Sequence, residues 1–89
     1  MITKTLTILS EEGLHARPAS ILAKAAIKFE SELFMYKEGE MNKKYQPKSI
    51  LSLLTLGAAK GENIVFTASG EDEVEAMNMI EALIQSDFR

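Results

Sequence analysis

Ile2-Thr3-Lys4-Thr5-Leu6-Thr7-Ile8-Leu9 leads through Ser10-Glu11-Glu12 into Gly13-Leu14-His15-Ala16-Arg17-Pro18-Ala19-Ser20, and the change of rhythm between these stretches decides the fold. In the first, Ile2, Leu6 and Ile8 share one side and Thr3, Thr5 and Thr7 the other, with Lys4 as the exception. A period of two describes a half-buried strand. From Ala16 to about Phe29 the apolar positions Ala19, Leu22, Ala26 and Phe29 recur at helical spacing, while Lys24 and Lys28 stay outside. Pro18 is tolerated in a first helical turn, although it biases Arg17 away from helical geometry. The only histidine of the chain stands at the switch.

That position carries chemistry. The first amides of a helix lack partners and point the same way, and together with the helix dipole they suit an anion. Arg17 adds a fork of donors matched to phosphate, and no acidic residue lies between Gly13 and Ser20 to compete for it. An imidazole beside such a cradle reads as a nucleophile that takes up and holds a phosphoryl group. The plainer alternatives are a satisfied structural histidine and a solvated arginine.

Further along, Ser31 to Tyr36 predicts a second strand, with Glu38-Gly39 as a hairpin turn. Met41 to Gln46 is polar and lysine-bearing and ends at Pro47, which suits an edge strand. Ser49 to Leu56 predicts a short helix, N-capped by Ser49 and stopped by Gly57. Glu62 to Ser69 predicts the last strand. Glu71-Asp72-Glu73 loads acid onto the start of a final helix, whose expected buried stripe is Val74, Met77, Ile80, Leu83 with Ile84, and Phe88. The implied architecture is α+β: helices on one face of a mostly antiparallel sheet, four strands and three helices in all, in a single domain spanning residues 1–89.

The short helix is too apolar for its size. Leu53 and Leu56 supply a buried stripe, and Ile50, Leu51 and Leu54 are left over as an expected docking patch unless a loop covers them. Ser49 is a cap, and it is also a candidate phosphorylation site beside that patch. The methionines and the Phe29/Phe88 pair look like core filling, and Glu71-Asp72-Glu73 like helix-start electrostatics rather than paired catalytic carboxylates.

The 89 residues allow one domain, and a formal charge of -3, from ten basic and thirteen acidic residues without a basic cluster, argues against nucleic acid as partner. The absence of cysteine removes disulfides, thiol catalysis and zinc–thiolate sites, and a single histidine makes a transition-metal site unexpected. No cofactor is expected. The N-terminus lacks an apolar signal core, and no run approaches the roughly 18 apolar residues of a membrane span. A cytoplasmic location without membrane insertion is the expectation.

Gly13-Leu14-His15-Ala16-Arg17-Pro18-Ala19 resembles the active-site signature of HPr, the histidine phosphocarrier family of the bacterial phosphoenolpyruvate-dependent sugar phosphotransferase system. Lys28 to Glu32, Lys48-Ser49-Ile50-Leu51 through Thr55-Leu56-Gly57, Gly61 to Ile64 and Ser69 to Glu73 are similar to further segments of that family. The resemblance implies an open-faced β-sandwich of order βαββαβα. It implies that phospho-enzyme I phosphorylates His15 on Nδ1 and that the group passes to sugar-specific IIA domains. Arg17 and the Ala16 and Arg17 amides would steady the phosphoryl oxygens, and Ile50, Leu51 and Leu54 would dock both partners. Ser49 would be the serine modified by HPr kinase/phosphorylase and read by a catabolite-control regulator. The chain departs from the family pattern in a longer Gly39–Ser49 segment that contains Pro47, and in Ser52, where many kinase-regulated members have glycine. The function read from all this is a monomeric, stoichiometric carrier rather than an enzyme. Its rivals are a paralogous carrier of a nitrogen-related branch, and a regulatory binding module acting through the Ile50–Leu54 surface with His15 idle.

Overall fold

The computed structural model describes residues 1–88. In chain order its elements are β1 (Ile2–Thr7), α1 (Ala16–Ala26), β2 (Glu32–Lys37), α2 (Ile50–Leu56), β3 (Asn63–Ser69) and α3 (Glu73–Gln85). The strands form an antiparallel sheet in the order β1-β3-β2. Register aligns Leu6 with Ile64, and both Lys4 and Met35 with Phe66, so one face gathers Leu6, Ile64, Phe66, Ala68, Leu33 and Met35, all buried. Thr3, Thr5, Phe34 and Thr67 occupy the other face. The helices cover the apolar side: α1 contributes Ala19, Leu22, Ala23 and Ala26, α2 Leu53 and Leu56, and α3 Ala76, Met77, Ile80 and Ile84. Lys4, the break in the strand alternation, sits in the inward register because its ammonium reaches Glu81 of α3 at 2.7 Å.

Three expectations are corrected. Among the described residues the sheet has three strands, not four: Met41–Gln46 is reduced to a bridge in which Tyr45 and Met35 exchange amide hydrogen bonds of 2.7 and 2.9 Å. The longer segment folds on itself instead, with Glu40 N–H bonded to Lys37 and Lys43 N–H to Glu40, and buried Pro47 has no amide to extend a ladder. Helix α1 ends at Ala26 rather than near Phe29. The Lys28 and Phe29 amides tighten back onto Ala25 and Ala26, and the Lys48 ammonium takes the Phe29 carbonyl at 2.7 Å. Finally, Val74 is 52% exposed. The stripe centres between Met77 and Ile80, with Ala76 and Ile84, which puts Val74 about 100° around the helix from that centre.

The far end of the fold is held by one carboxylate. Asp72 accepts the Glu30 amide at 2.8 Å, the Ser31 amide at 2.9 Å and the Ser31 hydroxyl, tying the start of α3 to the turn after α1. The Ser31 hydroxyl bond, followed by the Glu30 amide, holds the Asp72 carboxyl below its ordinary range. A depressed folded-state value contributes stability that is present at neutral pH and lost as pH falls through that value. We expect Asp72→Ala to lower the thermal midpoint at neutral pH, with the difference from the parent shrinking as pH drops below the usual carboxylate range. Unfolding followed by circular dichroism across pH checks this, and a difference independent of pH would count against it.

Candidate functional site

His15 is the N-cap of α1, with extended backbone (φ −88°, ψ −169°) and a side chain 34% exposed. Its carbonyl accepts the Ala19 amide at 3.0 Å, which starts the helix. Pro18 has no amide to offer. Among the described residues the His15, Ala16 and Arg17 amides carry no backbone partner. No acid lies in the first turn of α1. Arg17 is exposed and makes no ion pair among the described residues.

The local sequence explains why the ring stands where it does. Gly13 adopts φ +70° and lies so close to the loop after α2 that a Cβ would stand 2.2 Å from the Ala58 carbonyl oxygen. Leu14 donates its amide to that same carbonyl at 2.9 Å and buries its own side chain. The turn before it closes through Gly13 N–H to Ser10 and through Lys60 to Glu11 at 2.5 Å. The Lys60 bond holds the Glu11 carboxyl below its usual range. His15 is thus the first residue after a doubly fastened corner.

The leftover apolar residues of α2 are uncovered: Ile50 is 41%, Leu51 74% and Leu54 41% exposed, whereas Leu53 and Leu56 are buried. The contacts at the two ends of α2 show that it runs antiparallel to α1. Its C-terminal side meets the start of α1 through Leu14 and Ala58, and its N-terminal side meets the end of α1 through Lys48 and Phe29. Ser49 caps α2, its hydroxyl accepting the Ser52 amide at 3.2 Å. His15 and Ser49 therefore occupy opposite ends of the helix pair. Between α1 and α2 a shallow groove of about 240 Å³ is lined by Ala23, Lys24, Ile27, Lys48 and Ile50.

Ile27, 66% exposed, was not among the residues expected at the site. Its signal was present in the sequence as an apolar residue off the Ala19–Leu22–Ala26 stripe and close to Lys24 and Lys28. Glu12, whose carboxylate lies 3.9 Å from His15 Nε2, was also missed; only its spacing of three from the histidine hinted at it.

Residues 2–86 match the family model of the PTS HPr component phosphorylation site. The chain belongs to the HPr family. It is 33% identical to the phosphocarrier protein HPr of Treponema pallidum over 88 residues, covering 99% of this chain and 97% of that one. It is also 37% identical to the HPr-like protein Crh of Halalkalibacterium halodurans over 87 residues, covering 98% and 100%. Among solved structures, HPr-C-His from Thermoanaerobacter tengcongensis superposes with a TM-score of 0.91 at 39% identity, covering 99% of this chain and 96% of that one. HPr proteins are phosphocarriers, and the resemblance read from the sequence holds at the level of the family.

Gly13 is the test of the corner. We expect Gly13→Ala to cost at least about 2 kcal/mol, because the added carbon meets backbone and the positive φ disfavours it. Chemical denaturation measures this, and a loss of only a few tenths would contradict the close approach.

Proposed function

We propose that this chain accepts a phosphoryl group on His15 from phospho-enzyme I and donates it to IIA domains of sugar permeases. The observation that carries this reading is the partly exposed His15 ring at the N-cap of α1, where three amides have no backbone partner and Arg17, two residues on, makes no ion pair among the described residues. In this reading Nδ1 attacks phosphorus as the bond from phosphorus to the donor breaks, and the Ala16 and Arg17 amides and the Arg17 guanidinium take the phosphoryl oxygens at a ring 34% exposed. An open site suits a carrier, since the partner must reach both ring and phosphate and align them for in-line transfer. Ile50, Leu51 and Leu54 serve as the shared apolar contact, on the helix whose C-terminal side meets the start of α1. Ser49 enters as the cap of α2 at the other end, so that a regulatory phosphate there would change the surface the partners share.

A regulatory binding module remains the second reading, because the relatives include an HPr-like protein named Crh alongside HPr itself. Such a module needs the α2 surface and not the ring.

Incubation with phosphoenolpyruvate and enzyme I separates the two. We expect acid-labile, alkali-stable phosphate on His15, absent from His15→Ala and acquired about tenfold or more slowly by Arg17→Ala. Label that survives His15→Ala refutes the phosphocarrier reading at this residue. For the docking surface, Leu51→Asp should leave the circular dichroism spectrum unchanged and slow exchange about tenfold or more by weakening partner binding. Unaltered exchange kinetics would remove Leu51 from the interface.

A further inference from the structure

The turn Ser10–Gly13 carries two adjacent carboxylates with different fates. Glu11 is bound by Lys60, while Glu12 makes no contact with a lysine or arginine among the described residues and instead places Oε2 3.9 Å from His15 Nε2. The turn that presents Glu12 is fastened on both sides, by Gly61 N–H to the Ile8 carbonyl (2.8 Å) and by Leu14 N–H to the Ala58 carbonyl (2.9 Å), so the backbone holds Glu12 next to the ring while its side chain stays 78% exposed. At this separation the carboxylate is within ion-pair range of the ring. Arg17, two residues on in the sequence, is exposed.

We propose that Glu12 is a positioning residue for phosphoryl transfer at His15, holding the ring proton on Nε2 so that the lone pair lies on Nδ1, and facing the positive charge that the phosphorylated ring acquires. This rests on the phosphohistidine reading above. The neutral ring, protonated on Nε2, attacks through Nδ1. The Nδ1–P bond forms as the bond from phosphorus to the donor's leaving atom breaks, and that atom keeps the electron pair. The product is a phosphoryl-imidazolium whose proton is still on Nε2, opposite Glu12. In onward transfer the Nδ1–P bond breaks, the electron pair returns to Nδ1, and the ring leaves neutral because the proton never moved. Without that proton the leaving group would be an imidazolate, a far poorer one. A carboxylate on a ring N–H orients the imidazole and fixes its tautomer, as it does for histidines that ligate metals. The same charge opposes the incoming dianion, so Glu12 favours turnover over binding.

The test uses the whole protein, labelled with 15N, and the variant Glu12→Gln. Long-range 15N–1H spectra report the His15 tautomer before any phosphate is added, and we expect Glu12→Gln to lose part of the Nε2–H population. With phosphoenolpyruvate and enzyme I, we expect phospho-Glu12→Gln to hydrolyse about two- to fivefold more slowly at neutral pH, a size set by the exposure of the pair. Onward transfer to a IIA domain should show a fall in kcat of similar size and a KM for the carrier that is unchanged or lower. Glu71→Gln removes an equal charge at the opposite end of α1, near the Glu30–Asp72 contact, and should match the parent in every measurement. An unchanged tautomer and lifetime in Glu12→Gln overturn the role of Glu12, and so does an equal effect in Glu71→Gln, which would reduce it to net charge. If the parent takes no phosphate on His15, the underlying reading fails first, whatever the tautomer spectra show.

Discussion

One contact governs the rest: the strand-to-helix corner is pressed against the peptide of Ala58, with Leu14 donating to its carbonyl and Gly13 too close for any Cβ. Because Ala58 follows the Gly57 stop of α2, this contact fixes where α1 begins relative to where α2 ends. The direction of the first amides of α1, the exposure of His15 and the side on which Leu51 emerges all follow from it. Only a residue without a side chain can make so close a backbone approach at φ +70°.

The opposite end of the helix pair is closed by different chemistry. Lys48 satisfies a carbonyl left over at the end of α1, a favourable place for a cation, and this leaves the Ser49 cap beside it. Lys48 also lines the groove with Lys24, Ile27 and Ile50, so a basic, apolar channel runs along a chain whose net charge is -3.

Most of the carboxylates that bear on the fold act as fasteners for loops. Glu62 accepts the Ala59 amide, Glu73 the Gly70 amide, Asp72 the Ser31 hydroxyl, and Glu11 the Lys60 ammonium, and each is held below its ordinary range by that bond first. With acid used in this way, the first turn of α1 stays free of it. Such placement matters more for an anion site than overall charge does, because exposed charges beyond about 10 Å are largely screened.

The periods of two and 3.6 in the sequence were enough to read the strand, the helix and the histidine between them, since backbone geometry imposes those spacings locally. The surplus apolar residues of α2 were legible for a similar reason: a seven-residue helix has one inner stripe, and Ile50, Leu51 and Leu54 could not all lie on it. Tertiary structure decided what depends on partners distant in sequence. The expected fourth strand shrank to the Tyr45 bridge because turns within the longer segment took up its backbone bonds, and Val74 faces outward because the position of the sheet selects which side of α3 is buried. Glu12 stands three residues from His15, so its approach to the ring is set within one turn and only its side-chain direction had to come from the structure. Ile27 does belong with the tertiary cases, because the groove it lines exists only where Lys48 and Ile50 lie across from α1.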